Sequence, residues 1–158
     1  MPEDEELAMK PALFLRIAAV ITLLLGVGHI LGRPWTPSRD PQAAAVIEAM
    51  KSSRVHIMGF DRSYMDFYVG FGLVLGVYVL AQAALLWVLA AFASTEPARA
   101  RPIIAIFFIT NVAITVLDGA YLFTLPLVMS GAVALCLGLA VATARRGSSL
   151  AAAGSERA

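Results

Sequence analysis

The chain predicts an all-α membrane protein: four transmembrane helices in an up-down-up-down bundle, with one short amphipathic helix in the first loop. Three observations lead there. Of its 158 residues, 59% are hydrophobic and only 15% are charged. The mean hydropathy is +0.79, too apolar for a soluble domain of ordinary size. A bilayer core is about 30 Å thick and a helix rises about 1.5 Å per residue, so about 20 apolar residues make one crossing. Four segments reach that length, at about 11–32, 64–93, 102–123 and 125–145.

A polar tail, 1–10, opens the chain with Glu3, Asp4, Glu5 and Glu6. The first apolar segment follows, interrupted by Arg16 and His29. It is longer than the apolar part of a signal peptide, and no small-x-small cleavage site follows Gly32, so it reads as a retained helix. Arg16 lies about one turn inside and reaches the interface by snorkelling. The first loop runs from Arg33 to Ser63. Asp40 as N-cap and Pro41 in the first helical position start a helix over 41–53. Ala43, Val46, Ile47 and Met50 fall on one side of it, which lays it along the membrane surface or over the bundle.

The second loop, "STEPARAR", is short and hydrophilic. The third is nearly absent: Thr124 caps the fourth helix and Pro126 sits in its first turn, making the last two helices a tight antiparallel hairpin. Residues 146–158 read as a disordered tail. With both termini on one side, that side holds Lys10, Arg16, Arg99, Arg101, Arg145, Arg146 and Arg157, against Arg33, Arg39, Lys51, Arg54 and Arg62 on the other. The bias favours cytoplasmic termini.

A net charge of +1 with no basic run excludes a nucleic-acid partner. Cys136 is the single cysteine and lies in the fourth apolar run, so disulfide and CxxC chemistry are excluded. The alternating topology brings His29, Asp66 and Asp118 to similar depth near one face of the membrane, the candidates for catalysis. Near a helix end the cost of an ionised group is well below the roughly 2.5–3.5 kcal/mol of the bilayer centre. Asn111, Thr115 and Asp118 recur at i, i+4 and i+7, one inward-facing stripe on the third helix. On the second helix Tyr64, Tyr68, Phe71, Leu75, Tyr78 and Gln82 form an aromatic stripe ending in an amide, suited to a hydrophobic ligand. The ligand-binding candidates are therefore Arg62, Tyr64, Tyr68, Tyr78, Gln82, Asn111 and Asp118. Gly72 and Gly76 make a small-xxx-small pair that permits close helix packing.

Each feature also has a structural reading. Ser63-x-x-Asp66 has the spacing of a capping box, Arg62 pairs with Asp66 or with lipid headgroups, and Tyr64 and Tyr68 suit an interfacial aromatic belt. His29 serves equally as a helix-to-helix hydrogen bond, and no metal site is expected, because one needs at least three ligands. Asp118 within an apolar run calls for a partner, which His29, Arg62 or a cation would supply.

The run "HIMGFDRSYMDFYVGFG", with "GVGHILG" ending the first helix and "LDGAYLF" ending the third, resembles a family of small uncharacterised bacterial four-helix membrane proteins. The resemblance covers most of residues 11–145, with MGFDRSYxDFYxGFG its most specific part. It implies a bacterial inner-membrane location and no particular activity. More distantly, size and the GxxH ending the first helix are similar to DoxX-like membrane proteins, some of them subunits of quinone-linked oxidoreductases; no cofactor-binding residue carries over. Three functions follow. The first is binding of a lipid, quinone or other amphiphile in an intrabundle pocket, as an accessory subunit with a homo-oligomeric or membrane-protein partner. The alternative is a membrane-embedded enzyme in which His29, Asp66 and Asp118 transfer protons. The third is a small proton-coupled transporter built on Asp118.

Overall fold

Helix ends in this chain are set by proline, serine and threonine at the polar flanks of the apolar runs. The computed structural model describes residues 2–32 and 39–155, with side chains for 11–32 and 39–144. Helix α1 spans Pro2–Gly32, α2 Pro41–Ser52, α3 Tyr64–Thr95, α4 Pro97–Tyr121 and α5 Thr124–Ser155. Four of them contain segments long and apolar enough to cross a membrane: Pro11–Gly32, Tyr64–Thr95, Pro97–Tyr121 and Thr124–Ala144. The protein is an all-α, multi-pass membrane protein. Arg33 and Arg157, two of the charges that bear on orientation, lie outside the described residues.

Several boundaries differ from the sequence reading. The helical backbone begins at Pro2, within the polar tail. The backbone of α5 continues to Ser155, where composition predicts disorder; its alanines and leucine are strong helix formers, and extending an existing helix adds one bond per residue without a new nucleus. The loop expected at "STEPARAR" is a single residue, Glu96, between α3 and α4. Ser94 and Thr95 donate their hydroxyls to the carbonyls of Ala91 and Phe92. Pro97 then opens α4 in the position where a missing N–H costs nothing.

By contact the chain divides into two compact units, Gly26–Val79 and a second made of Met1–Leu25 with Leu80–Ala158. The second unit holds a core to which all four long helices contribute: Leu15 and Ala18 from α1, Leu86 and Ala90 from α3, Ile104 from α4, and Val133 and Leu137 from α5. Small residues such as Ala93, Ala100 and Ala140 let the backbones approach. The pairing of α4 with α5 is antiparallel: a Cβ built on Gly119, Gly131 or Gly138 would meet Leu127, Thr115 or Phe108 respectively, so numbers rise along one helix as they fall along the other.

The first unit contains α2 and a feature the sequence reading missed, a β-hairpin. Strand β1 (Arg54–Ile57) pairs antiparallel with β2 (Phe60–Ser63) in the register Arg54↔Ser63, Val55↔Arg62, His56↔Asp61 and Ile57↔Phe60. Met58 and Gly59 form the two-residue turn, with φ of 52° and 84°. Two positive φ values mark the primed turn whose twist matches a hairpin. Helix α2 is capped by the Asp40 carboxylate, which accepts from the Gln42 amide at 3.1 Å, and it buries none of its residues.

Candidate functional site

The polar stretch ahead of α3 folds into a junction of strand and helix. The Ser63 amide donates to Asp66 Oδ2 at 2.8 Å, and the Asp66 amide donates to Ser63 Oγ at 3.0 Å. This is a reciprocal capping box, which satisfies two amides that a helix start leaves open. The Tyr64 amide donates to the Ser53 carbonyl at 3.2 Å, tying the end of α2 to the start of α3. Arg62 does not pair with Asp66. Its Nη1 donates to the Asp61 carbonyl at 3.2 Å, and its guanidinium lies 5.5 Å from the centre of the Phe60 ring.

Arg62 and Asp66 sit at the polar end of a groove of about 250 Å³ whose remaining walls are Phe67, Gly70, Phe71 and Val74. The helical residues recur at i, i+1, i+4, i+5 and i+8, so one face of α3 builds the groove. The rings of Phe67 and Phe71 stack with centroids 6.5 Å apart. A Cβ on Gly70 would meet nothing within 4 Å, so that glycine leaves the groove its width. A charged end followed by an apolar channel is the shape of an amphiphile.

Of the seven ligand-binding candidates, only Arg62 lines this groove; Asp66, a catalytic candidate, joins it. Tyr64, Tyr68 and Tyr78 are exposed on α3 and do not line the groove, whereas Phe71 of the same stripe does. Phe67, Gly70 and Val74 are groove residues that the sequence reading did not select. An apolar i, i+4 pair such as Phe67 and Phe71 looks the same in sequence whether it faces lipid or a groove.

His29 lies in the same compact unit as Asp66. Its Nε2 bonds the Gly72 carbonyl at 2.9 Å. Since a carbonyl only accepts, Nε2 carries the proton in this arrangement. Ile30 follows His29 into the space above Gly76, where an added Cβ would sit 2.8 Å from Ile30 Cγ1 and 3.6 Å from His29 Cδ2. The Gly72 and Gly76 pair thus receives α1 at close range, Gly76 by lacking a side chain and Gly72 by offering its carbonyl.

Gln82, Asn111 and Asp118 belong to the other unit. Gln82 Nε2 donates to Asn111 Oδ1 at 3.2 Å, Asn111 Nδ2 donates to the Phe107 carbonyl at 2.9 Å, and Thr115 Oγ1 donates to the Asn111 carbonyl at 2.8 Å. This fastens α3 to α4 with every polar group of the Asn111 amide engaged. Asp118, in the last turn of α4, is 8% exposed. No group of three metal-binding side chains occurs among the described residues.

Four helices long and apolar enough to cross a membrane define a multi-pass helical membrane protein. Comparison with protein-family models, with curated proteins and with solved structures finds no match to this chain.

Proposed function

We propose that this protein binds a membrane amphiphile, a lipid or a quinone, along α3, with Arg62 holding the polar head and Phe67, Gly70, Phe71 and Val74 the apolar part. One observation carries this reading: the groove beside α3 has a cation and a carboxylate at one end and only apolar walls beyond them. An arginine offers several N–H donors in a fixed fork, suited to a phosphate or to a quinone carbonyl. The site is reached sideways from the bilayer, in place of the enclosed intrabundle pocket that the sequence reading expects. The bonds of Asp66 to Ser63 and of His29 to Gly72 give both side chains structural work, which favours binding over proton transfer by the trio with Asp118. The resemblance to small bacterial membrane proteins and the distribution of lysine and arginine support an inner-membrane location with cytoplasmic termini.

Ligand-linked stabilisation tests the proposal, since anything bound to the folded state alone raises its stability with concentration. In a neutral detergent, phosphatidylglycerol or a short-chain benzoquinone is expected to raise the thermal midpoint of the wild type and not that of Arg62→Gln. Equal shifts in both proteins, or a shift with neither compound, would remove Arg62 as the head-group anchor.

A further inference from the structure

The hairpin has two chemically different faces. Directly opposed residues of paired strands share a face and neighbours along a strand alternate. The register therefore places Val55, Ile57, Phe60 and Arg62 on one side and Arg54, His56, Asp61 and Ser63 on the other. On the polar side Arg54 Nε donates to Asp61 Oδ2 at 2.8 Å and Arg54 Nη2 to the Asp61 carbonyl at 3.2 Å, so those charges are satisfied within the hairpin. Val55 is half-buried, but towards the turn the apolar side is uncovered: Phe60 is 63% exposed, Ile57 47%, and Met58 at the tip 94%. Met58 also occupies a left-handed backbone position, where Asn, Asp or Gly is the usual residue. A long apolar side chain is thus held outward at a place whose backbone favours a short polar one.

We propose that this hairpin lies in the membrane interface, with its Val55, Ile57 and Phe60 face and the Met58 tip in the boundary between headgroups and acyl chains. Its partner is the lipid surface of the bilayer that the helices cross. Position argues for lipid. Strand β2 ends at Ser63 and the membrane segment of α3 begins at Tyr64, with no residue between. Four residues of strand span about 14 Å at about 3.4 Å each, so the tip stays within about that distance of the membrane boundary. Charge argues the same way. Arg62 is the cation on the apolar face, stacked with Phe60, and a cation beside aromatic and aliphatic groups is the composition of interfacial segments. Three side chains and a tip are also far less than the roughly 800 Å² per partner of a stable protein interface. The hairpin face shares Arg62 with the groove, but the inference rests on Ile57, Met58 and Phe60, which line no part of it, and holds whatever the groove binds.

Site-specific quenching tests it. In a Cys136→Ala background, Met58→Cys, Phe60→Cys and His56→Cys are labelled with an environment-sensitive fluorophore and reconstituted into liposomes. Labels at 58 and 60 are expected to show blue-shifted emission and quenching by a lipid carrying a shallow nitroxide. The label at 56, on the polar face, is expected to be quenched by aqueous iodide. Iodide access at 58 equal to that at 56 would overturn the proposal, and so would shielding of 58 from both quenchers, the sign of a protein partner. Because Met58 is almost wholly exposed, its substitution leaves the fold in place, and position 58 decides the test even if Phe60→Cys disturbs the Arg62 stack.

Discussion

Ser63 and Asp66 close the first turn of α3 from both sides, each accepting the other's amide. Ser63 is buried, so removing its hydroxyl leaves the Asp66 amide without its partner. Ser63→Ala is expected to lower stability by about 1 kcal/mol, read as a lower thermal midpoint in detergent. Asp66→Asn keeps a side-chain oxygen to accept the Ser63 amide, and is expected to stay close to the wild type. A large loss with Asp66→Asn would mean that the carboxylate charge does something beyond capping. The cap was legible in the sequence because S-x-x-D is a spacing rule that needs only local geometry. The partner of His29 was not, because the carbonyl of Gly72 belongs to the backbone and carries no residue-type signal.

The contact between α1 and α3 around Gly76 depends on an absent side chain. Gly76→Ala places a methyl group against Ile30 Cγ1, near the branch point of a stiff side chain. Overpacking of this kind costs about 1–3 kcal/mol, partly offset by the better helix propensity of alanine. Gly76→Ala is expected to lose folded, monodisperse protein at a lower temperature than wild type, while Gly28→Ala, with nothing within 4 Å of its Cβ, is expected to match or exceed wild type. The reverse order would contradict the close packing. The small-xxx-small spacing announced this crossing, and the apolar runs announced the membrane helices, since bilayer thickness imposes a length that few soluble helices meet. The hairpin escaped notice because its strands are four residues long, too short for alternation to stand out. Its turn opens with Met58 rather than with the asparagine or aspartate that usually signals one. The ends of α1, α4 and α5 shifted because helical bonding continues through polar residues once a helix exists.

At the scale of the whole molecule, the two compact units differ in chemistry. The unit built from all four long helices fills its interior with Leu15, Leu86, Ile104 and Leu137. Its amide link from Gln82 to Asn111 replaces water that a membrane interior does not offer. The unit that starts α3 instead gathers Arg54, Arg62, Asp61 and Asp66 beside exposed aromatic rings, the composition of a membrane boundary. The polar composition ahead of α3 was readable in the sequence, whereas the groove required knowing which side of α3 stays uncovered. The most direct measurement is native mass spectrometry of protein extracted in mild detergent, wild type beside Arg62→Gln and Gly70→Leu, with released lipids identified. A defined amphiphile carried by the wild type and lost from both variants, with helicity unchanged, is the expected result. The same bound species in all three proteins, or only a non-selective mixture of phospholipids in the wild type, would contradict a binding site on α3.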